Sequence, residues 1–308
     1  MSNGSTAFFS KIKGNNAYVL ADSLDDRKRL TIQVKVFTPV FKQAIGLALD
    51  KAELWTKLRD PKATFHILDL GCGEGLYLPI LHQYLLERGA KAHLKMVGID
   101  LDSTAVATAQ EYMTALGLRH ARFYLHDATM PLTKIEGLSL VDPSSHFDLI
   151  FASALLMHLR NPQATLHYIY EVLQPGGAFY TKDMSWSWDN SYPSPAFTRI
   201  IHLAQQATLK MLGVDFAANP KSFLQVAGFE SIESFEDRYA VGGHTESGRR
   251  MLENLLLVQH AVRATLIQSG VISAREYDGL MEQEFREISP ELEGRFSTVN
   301  TIARRPLH

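Results

Sequence analysis

Cysteine is nearly missing from this chain: its 308 residues contain one, Cys72. A single thiol excludes an internal disulfide framework and a cysteine-rich zinc site, and it predicts a reduced, cytoplasmic setting. An excess of one charge is missing too. Lys+Arg 31 against Asp+Glu 33 leaves a formal net charge of -2. Without a basic excess or stripe, no nucleic-acid partner is expected. Long apolar runs are absent. The most apolar stretch, from Phe147 to Leu159, falls short of the roughly 20 residues a bilayer-spanning helix needs, so no membrane partner is expected. Phe8 and Phe9 are followed by Lys11 and Lys13 before any apolar segment, which predicts no secretion signal. Internal repeats and low-complexity linkers are lacking as well.

The apolar content, 46%, is enough to close a sizeable core. The length suits two average domains, or one larger α/β domain with additions. Residues 1–60 read as helical. A helix capped by Ser23 or Asp25 runs through Val36, and Thr38-Pro39 opens a second one, because proline is favoured at a first helical position. From about Ala63 to Asp183, short apolar runs alternate with amphipathic helices. The runs are Phe65 to Leu70, Leu94 to Asp100, Arg122 to Leu125, Phe147 to Ser153 and Ala178 to Lys182. The last one follows a turn, Gln174-Pro175-Gly176-Gly177. Such alternation predicts a mostly parallel sheet covered by helices on both faces. Helices near 197–212, 221–227, 248–269 and 273–286 and strands near 232–239 and 295–303 complete the pattern. The expectation is an N-terminal cap over residues 1–60 and one α/β domain over 61–308. Acceptor-side insertions are placed at about 184–222 and 244–290.

The most informative stretch is Asp69-Leu70-Gly71-Cys72-Gly73-Glu74-Gly75, a glycine turn between a strand and a helix. Glycine lets the backbone approach a ligand closely. A dinucleotide turn has the spacing GxGxxG; here the third glycine arrives one residue early, and Leu76 takes its place. That disfavours an NAD-dependent oxidoreductase. Val97-Gly98-Ile99-Asp100-Leu101-Asp102 ends the second strand in acids, His126-Asp127-Ala128 follows the third, and Leu173-Gln174-Pro175-Gly176-Gly177 precedes the fifth.

In this order the motifs resemble those of the class I S-adenosylmethionine-dependent methyltransferases, across residues 66–183. The resemblance implies a Rossmann-like fold with a seven-stranded sheet. The cofactor would be S-adenosylmethionine, leaving as S-adenosylhomocysteine. It implies that Asp69, Gly71, Cys72, Gly73 and Gly75 form the cofactor turn, that Asp100 accepts from the ribose hydroxyls and that Asp127 meets the adenine amine. Leu101, Ala128 and Ser153 belong to the same implied site. Asp102 reads instead as a helix cap, and Cys72 as a small turn residue. Tyr18-Val19-Leu20-Ala21-Asp22-Ser23, followed by Arg29-Leu30 and Gln33, is similar to the entry segment of a bacterial subgroup whose N-terminal helices fold over the cofactor. Tyr18, Arg29 and Gln33 are then candidates to contact its methionine portion, the alternative being a solvated charged helix.

The acceptor side should lie beyond the fifth strand. Trp186, Trp188 and Tyr192 offer aromatic faces for an organic acceptor, or else core packing. Asp183 is placed to take an acceptor proton or to cap a loop, and His158 to do catalytic or scaffold work. Asp189-Asn190 has no acidic companion after the fourth strand, so no metal is expected. The expected function is direct in-line methyl transfer to a small organic acceptor in specialised metabolism. A protein or nucleic-acid methyltransferase and a non-catalytic cofactor-binding protein are the alternatives.

Overall fold

Strands that are apolar on both faces must be covered on both. The computed structural model, which describes residues 24–140, 142–184, 194–288 and 293–308, shows how. Strands β1 (Thr64–Leu70), β2 (His93–Asp100), β3 (Ala121–Leu125), β4 (Phe147–Ser153), β5 (Leu173–Asp183), β6 (Glu230–Gly242) and β7 (Glu293–Arg304) form one sheet in the order β3-β2-β1-β4-β5-β7-β6. The pairings from β3 through β5 are parallel, and β7 runs antiparallel to both of its neighbours. Strand order reverses between β1 and β4, which opens a crevice at their carboxyl ends where ligands of open α/β sheets bind.

Helices α1 (Leu24–Lys51), α2 (Trp55–Arg59), α3 (Tyr77–Glu87) and α4 (Ser103–Ala115) precede β4. The others are α5 (Pro162–Val172), α6 (Pro195–Leu212), α7 (Pro220–Val226), α8 (Glu246–Gln268) and α9 (Ala274–Glu287). On one face of the sheet, α1, α3 and α4 bury Phe41, Ile45, Leu81 and Met113 against Phe65, Ile67, Phe151 and Tyr180. On the other, α5 and α7 bury Leu166, Ile169 and Leu224 against Leu68, Ile150 and Phe179. A third cluster joins α6, α8 and α9 through Ile200, Leu203, Val262, Leu266 and Tyr277. Local chemistry places the helix starts. Asp102 accepts from the backbone of Thr104 and Ala105, and Ser273 closes a reciprocal capping box with Glu276.

Two expectations change. The N-terminal helices are one continuous α1, with Pro39 inside it. Proline removes a donor from the helix ladder, but Lys35 and Pro39 both lie on the exposed side, where water can serve the released carbonyl. Phe37 and Phe41 are buried on either side of Pro39, and that packing carries the helix through. Strand β5 starts at Leu173 and absorbs the expected Pro-Gly-Gly turn, with Gly176 at φ 78 and the pairing with β4 shifted in register there. Below the sheet, the buried Asp148 accepts from Lys57 Nζ at 2.6 Å and from the His66 N–H at 2.9 Å, tying α2 to β1 and β4. No helix among the described residues is long and apolar enough to cross a membrane.

Gly98 of β2 is required by a close approach: a Cβ there would lie 2.5 Å from the Phe123 ring and 2.9 Å from Cys72 Sγ. Gly98→Ala is expected to destabilise the fold by about 1–3 kcal/mol, as overpacking does, read as a lower denaturant midpoint. A second expectation concerns Glu284, buried on α9, whose carboxyl is pushed up to about 7 by burial, against the opposing effect of Gln259 on α8. A raised carboxyl favours the protonated folded state, so its contribution is present below the ordinary value of 4.5 and is lost as pH rises to about 7. Glu284→Gln should therefore be more stable than the parent at pH 8 by on the order of 2 kcal/mol, with the difference vanishing near pH 4. Chemical denaturation at the two pH values measures this.

Candidate active site

The crevice is shaped by how β1 ends. Gly71 and Cys72 both donate their N–H to the Ile99 carbonyl at 2.9 Å, which turns the chain sharply beside β2. Gly73, at φ 51, donates its N–H to Asp100 Oδ2 at 2.8 Å, while Oδ1 of the same carboxylate accepts from Asp102 N–H at 2.9 Å. A carboxylate has about four acceptor sites, so Asp100 can still receive ligand hydroxyls. A Cβ on Gly73 would meet nothing within 4 Å, because this glycine faces open space. Gly75 differs: a Cβ there would press on the Phe123 ring at 2.9 Å. It shapes the turn and does not line the cavity.

The cavity over this turn holds about 620 Å³, within the usual range of roughly 300–1,000 Å³ for small-molecule sites. It gathers most of the residues expected from sequence. At the cofactor end are Asp69, Gly71, Cys72, Gly73, Asp100 and Leu101, then Asp127 and Ala128 after β3, and Ser153 at the end of β4. Asp69 is buried, and its Oδ2 has no hydrogen-bond partner. Burial, and then the neighbouring Asp100, hold its carboxyl well above the usual carboxylate range. Burial also raises Asp100, against the pull of the two backbone N–H groups it accepts from. Asp127 Oδ1 accepts from both the N–H and the hydroxyl of Thr129 at 2.8 Å. Burial, with Asp69 and Asp100 adding to it, pushes the Cys72 thiol well up, away from the nucleophilic thiolate form.

Helix α1 lies over the cavity. Arg29 is buried and donates to Gln33 Oε1 at 2.6 Å, and both line the cavity. Asn254 of α8 donates to the Arg29 carbonyl at 2.9 Å, and Arg27 pairs with Glu74 of the glycine turn at 3.2 Å. At the far end sit His158 and Asp183. Burial, then Arg29, lowers the His158 imidazole to about 4, so it is neutral at pH 7. Burial raises Asp183 to about 6, against hydrogen bonds from Thr181 Oγ1 at 2.5 Å and Met157 N–H at 3.1 Å.

Sequence reasoning missed part of this wall. Phe37, Lys182 and Phe296 line the cavity, as do Ile201 of α6 and Leu255 and Val262 of α8. A lysine closing the otherwise apolar run Ala178 to Lys182 was the available signal. Tyr18, Trp186, Trp188 and Tyr192, and the Asp189-Asn190 pair, lie outside the described residues.

Comparison with known proteins bears on the ligand. A family model described as a methyltransferase domain matches residues 61–228, more than half of the chain. A ubiquinone biosynthesis O-methyltransferase of Azoarcus sp. is 31% identical over 114 residues, covering 37% of this chain and 42% of that protein. A malonyl-[acyl-carrier protein] O-methyltransferase of Paenibacillus sp. is 27% identical over 123 residues, covering 40% of this chain and 38% of that protein. The matched stretch thus spans about two fifths of these relatives' length. A putative sarcosine dimethylglycine methyltransferase from Galdieria sulphuraria superposes with a TM-score of 0.48 at 12% identity, over 98% of this chain and 97% of that one.

The residues present suit S-adenosylmethionine. Its ammonium and sulfonium are cationic, and the buried Asp69 Oδ2 without a partner is an acceptor of the right charge. Its ribose hydroxyls need an acceptor such as Asp100, and the open side of Gly73 leaves room for close backbone contact. The sheet order, the tied glycine turn and the matched domain agree, and the chain belongs to the methyltransferase-domain family, within the class I S-adenosylmethionine-dependent methyltransferases.

Proposed function

We propose that the protein transfers the methyl group of S-adenosylmethionine to an oxygen of a small organic acceptor. One observation carries this reading: a single cavity joins the glycine turn and Asp100 to an apolar chamber walled by α6 and α8. The cofactor end and the acceptor end thus share one enclosure. The O-methyl transfer in the names of both relatives supports an oxygen acceptor.

The bound cofactor supplies a methyl group already activated on a sulfonium. Asp69, Asp100, Gly73 and Asp127 would hold it, with Arg29 and Gln33 closing over it from α1. What remains for the chain is positioning and the exclusion of water. Phe37, Ile201 and Leu255 do the latter by lining the chamber with apolar surface. Asp183 lines the same space and keeps lone pairs beyond its two internal hydrogen bonds. It is the group we assign to receive the acceptor proton, with neutral His158 beside it as scaffold. The near-neutral charge and the largely apolar chamber favour a small acceptor over a protein or nucleic acid.

Two outcomes are expected. Calorimetric titration should show S-adenosylmethionine binding that Asp100→Ala weakens by about a hundredfold, the loss of two hydrogen bonds to a charged group. Gly73→Ala should weaken binding, since its Cβ enters the open space beside the turn, and should also cost about 1–2 kcal/mol of stability, since the backbone there is left-handed. Preferential binding of NAD would refute the reading. With an acceptor found by a labelled-methyl screen, kcat/KM should rise as pH passes about 6, where Asp183 ionises. Asp183→Asn should lower turnover by at least about a hundredfold; unchanged turnover would leave Asp183 only the task of bracing Met157.

A further inference from the structure

Lysine is the side chain least expected at the bottom of an apolar cavity, because its ammonium is strongly hydrated and loses that hydration on burial. Lys182 is 2% exposed, lines the cavity, and its Nζ makes no hydrogen bond. The Nζ lies 3.1 Å from the centroid of the Phe37 ring. A ring face softens the cost of a buried cation but accepts none of its three N–H groups in a charge-assisted bond.

The nearby acids do not fill that need. Asp183 follows Lys182 in β5, and successive strand residues point to opposite faces. Its two oxygens accept from Thr181 and Met157, and neither accepts from Lys182 Nζ. Asp237 lies on β6, with β7 between it and β5; it and Asp183 act on Lys182 only through space. Burial outweighs both and pulls the amine well below its ordinary range. The wall around this point is Phe37, Met184, Phe296 and Leu255, apolar surface for the body of a ligand.

We propose that Lys182 is the specificity-determining residue for the acceptor, pairing its Nζ with an anionic oxygen, carboxylate or phenolate, carried on an otherwise apolar body. This deepens the methyltransferase reading and rests on it for the identity of the cavity's other occupant. The pair forms where water is excluded, so it is strong only when both partners are present. An alcohol or ester of the same shape could accept a neutral hydrogen bond but would supply no countercharge. The same geometry disfavours an acceptor that is itself cationic.

The test is calorimetric titration of the full chain, with S-adenosylhomocysteine saturating, using matched probes: hexanoate, decanoate, 2-naphthoate and 2-naphtholate precursors against 1-hexanol, 1-decanol, 2-naphthylmethanol and 2-methoxynaphthalene. At least one acid should bind about tenfold or more tightly than its neutral partner. Lys182→Met should abolish that preference while leaving the neutral partner's affinity unchanged, and Lys182→Arg should keep part of it. The affinity for S-adenosylhomocysteine alone should be the same in all three proteins. If no acid of the series outbinds its partner, or if the preference survives in Lys182→Met, the proposal is wrong. Loss of S-adenosylhomocysteine binding in Lys182→Met would also overturn it, by making Lys182 a cofactor residue. Failure of the parent protein to bind S-adenosylhomocysteine would refute the cofactor reading instead, and the acid preference is then read without it.

Discussion

The Asp100 carboxylate is the constraint on which the site depends. It accepts from Gly73 on one side and from Asp102 on the other, and so joins the end of β1 to the end of β2. Holding the Gly73 N–H requires the left-handed backbone that glycine adopts without strain. That turn lifts the chain off the sheet and leaves the space above it open. The β2 partner also dictates Gly98, because the Phe123 ring and Cys72 crowd the position where a side chain would begin. The glycines, the lone cysteine and the acid are one solution to one packing problem.

The electrostatics of the cavity follow from its burial. Desolvation raises Asp69 and Asp100 at one end and lowers Lys182 and His158 at the other, so each group is held away from its charged form. Ligand charges reverse this. A cation at the Asp69 end and an anion at the Lys182 end would each restore a charge that burial suppresses.

How much of this is legible in the sequence depends on the range of the forces involved. The strands could be read because parallel strands buried on both faces leave continuous apolar runs, and β4 occupies Phe147–Ser153 as expected. The acids of the turn were legible because their spacing is local. Helix α1 was misread because Pro39 is a local signal, while the burial of Phe37 and Phe41 that overrides it is tertiary. Helices α6 and α8 were found, but amphipathicity tells that a face is buried and not against what. They lie in the segments expected as acceptor-side insertions, about 184–222 and 244–290, but which of their residues line the chamber came only with the fold. Lys182 was given no role for a related reason: what surrounds a strand-end lysine depends on the elements placed above it.

Helix α1 reaches from the core of the sheet to the cofactor end of the cavity. From Phe37 to Leu49 its buried face belongs to the core of the sheet. Toward its N-terminus the burial thins, and the contacts become Arg27 with Glu74 and Lys28 with Glu253, both ion pairs with substantial exposure. Such pairs contribute about 0–1 kcal/mol each, far less than the buried aromatic anchors further along. The part of α1 over the cofactor end thus combines exposed ion pairs with packing on α8, while the part further along is anchored in the core. Arg29, buried over the cavity and tied through its carbonyl to Asn254 of α8, marks the point where one regime gives way to the other.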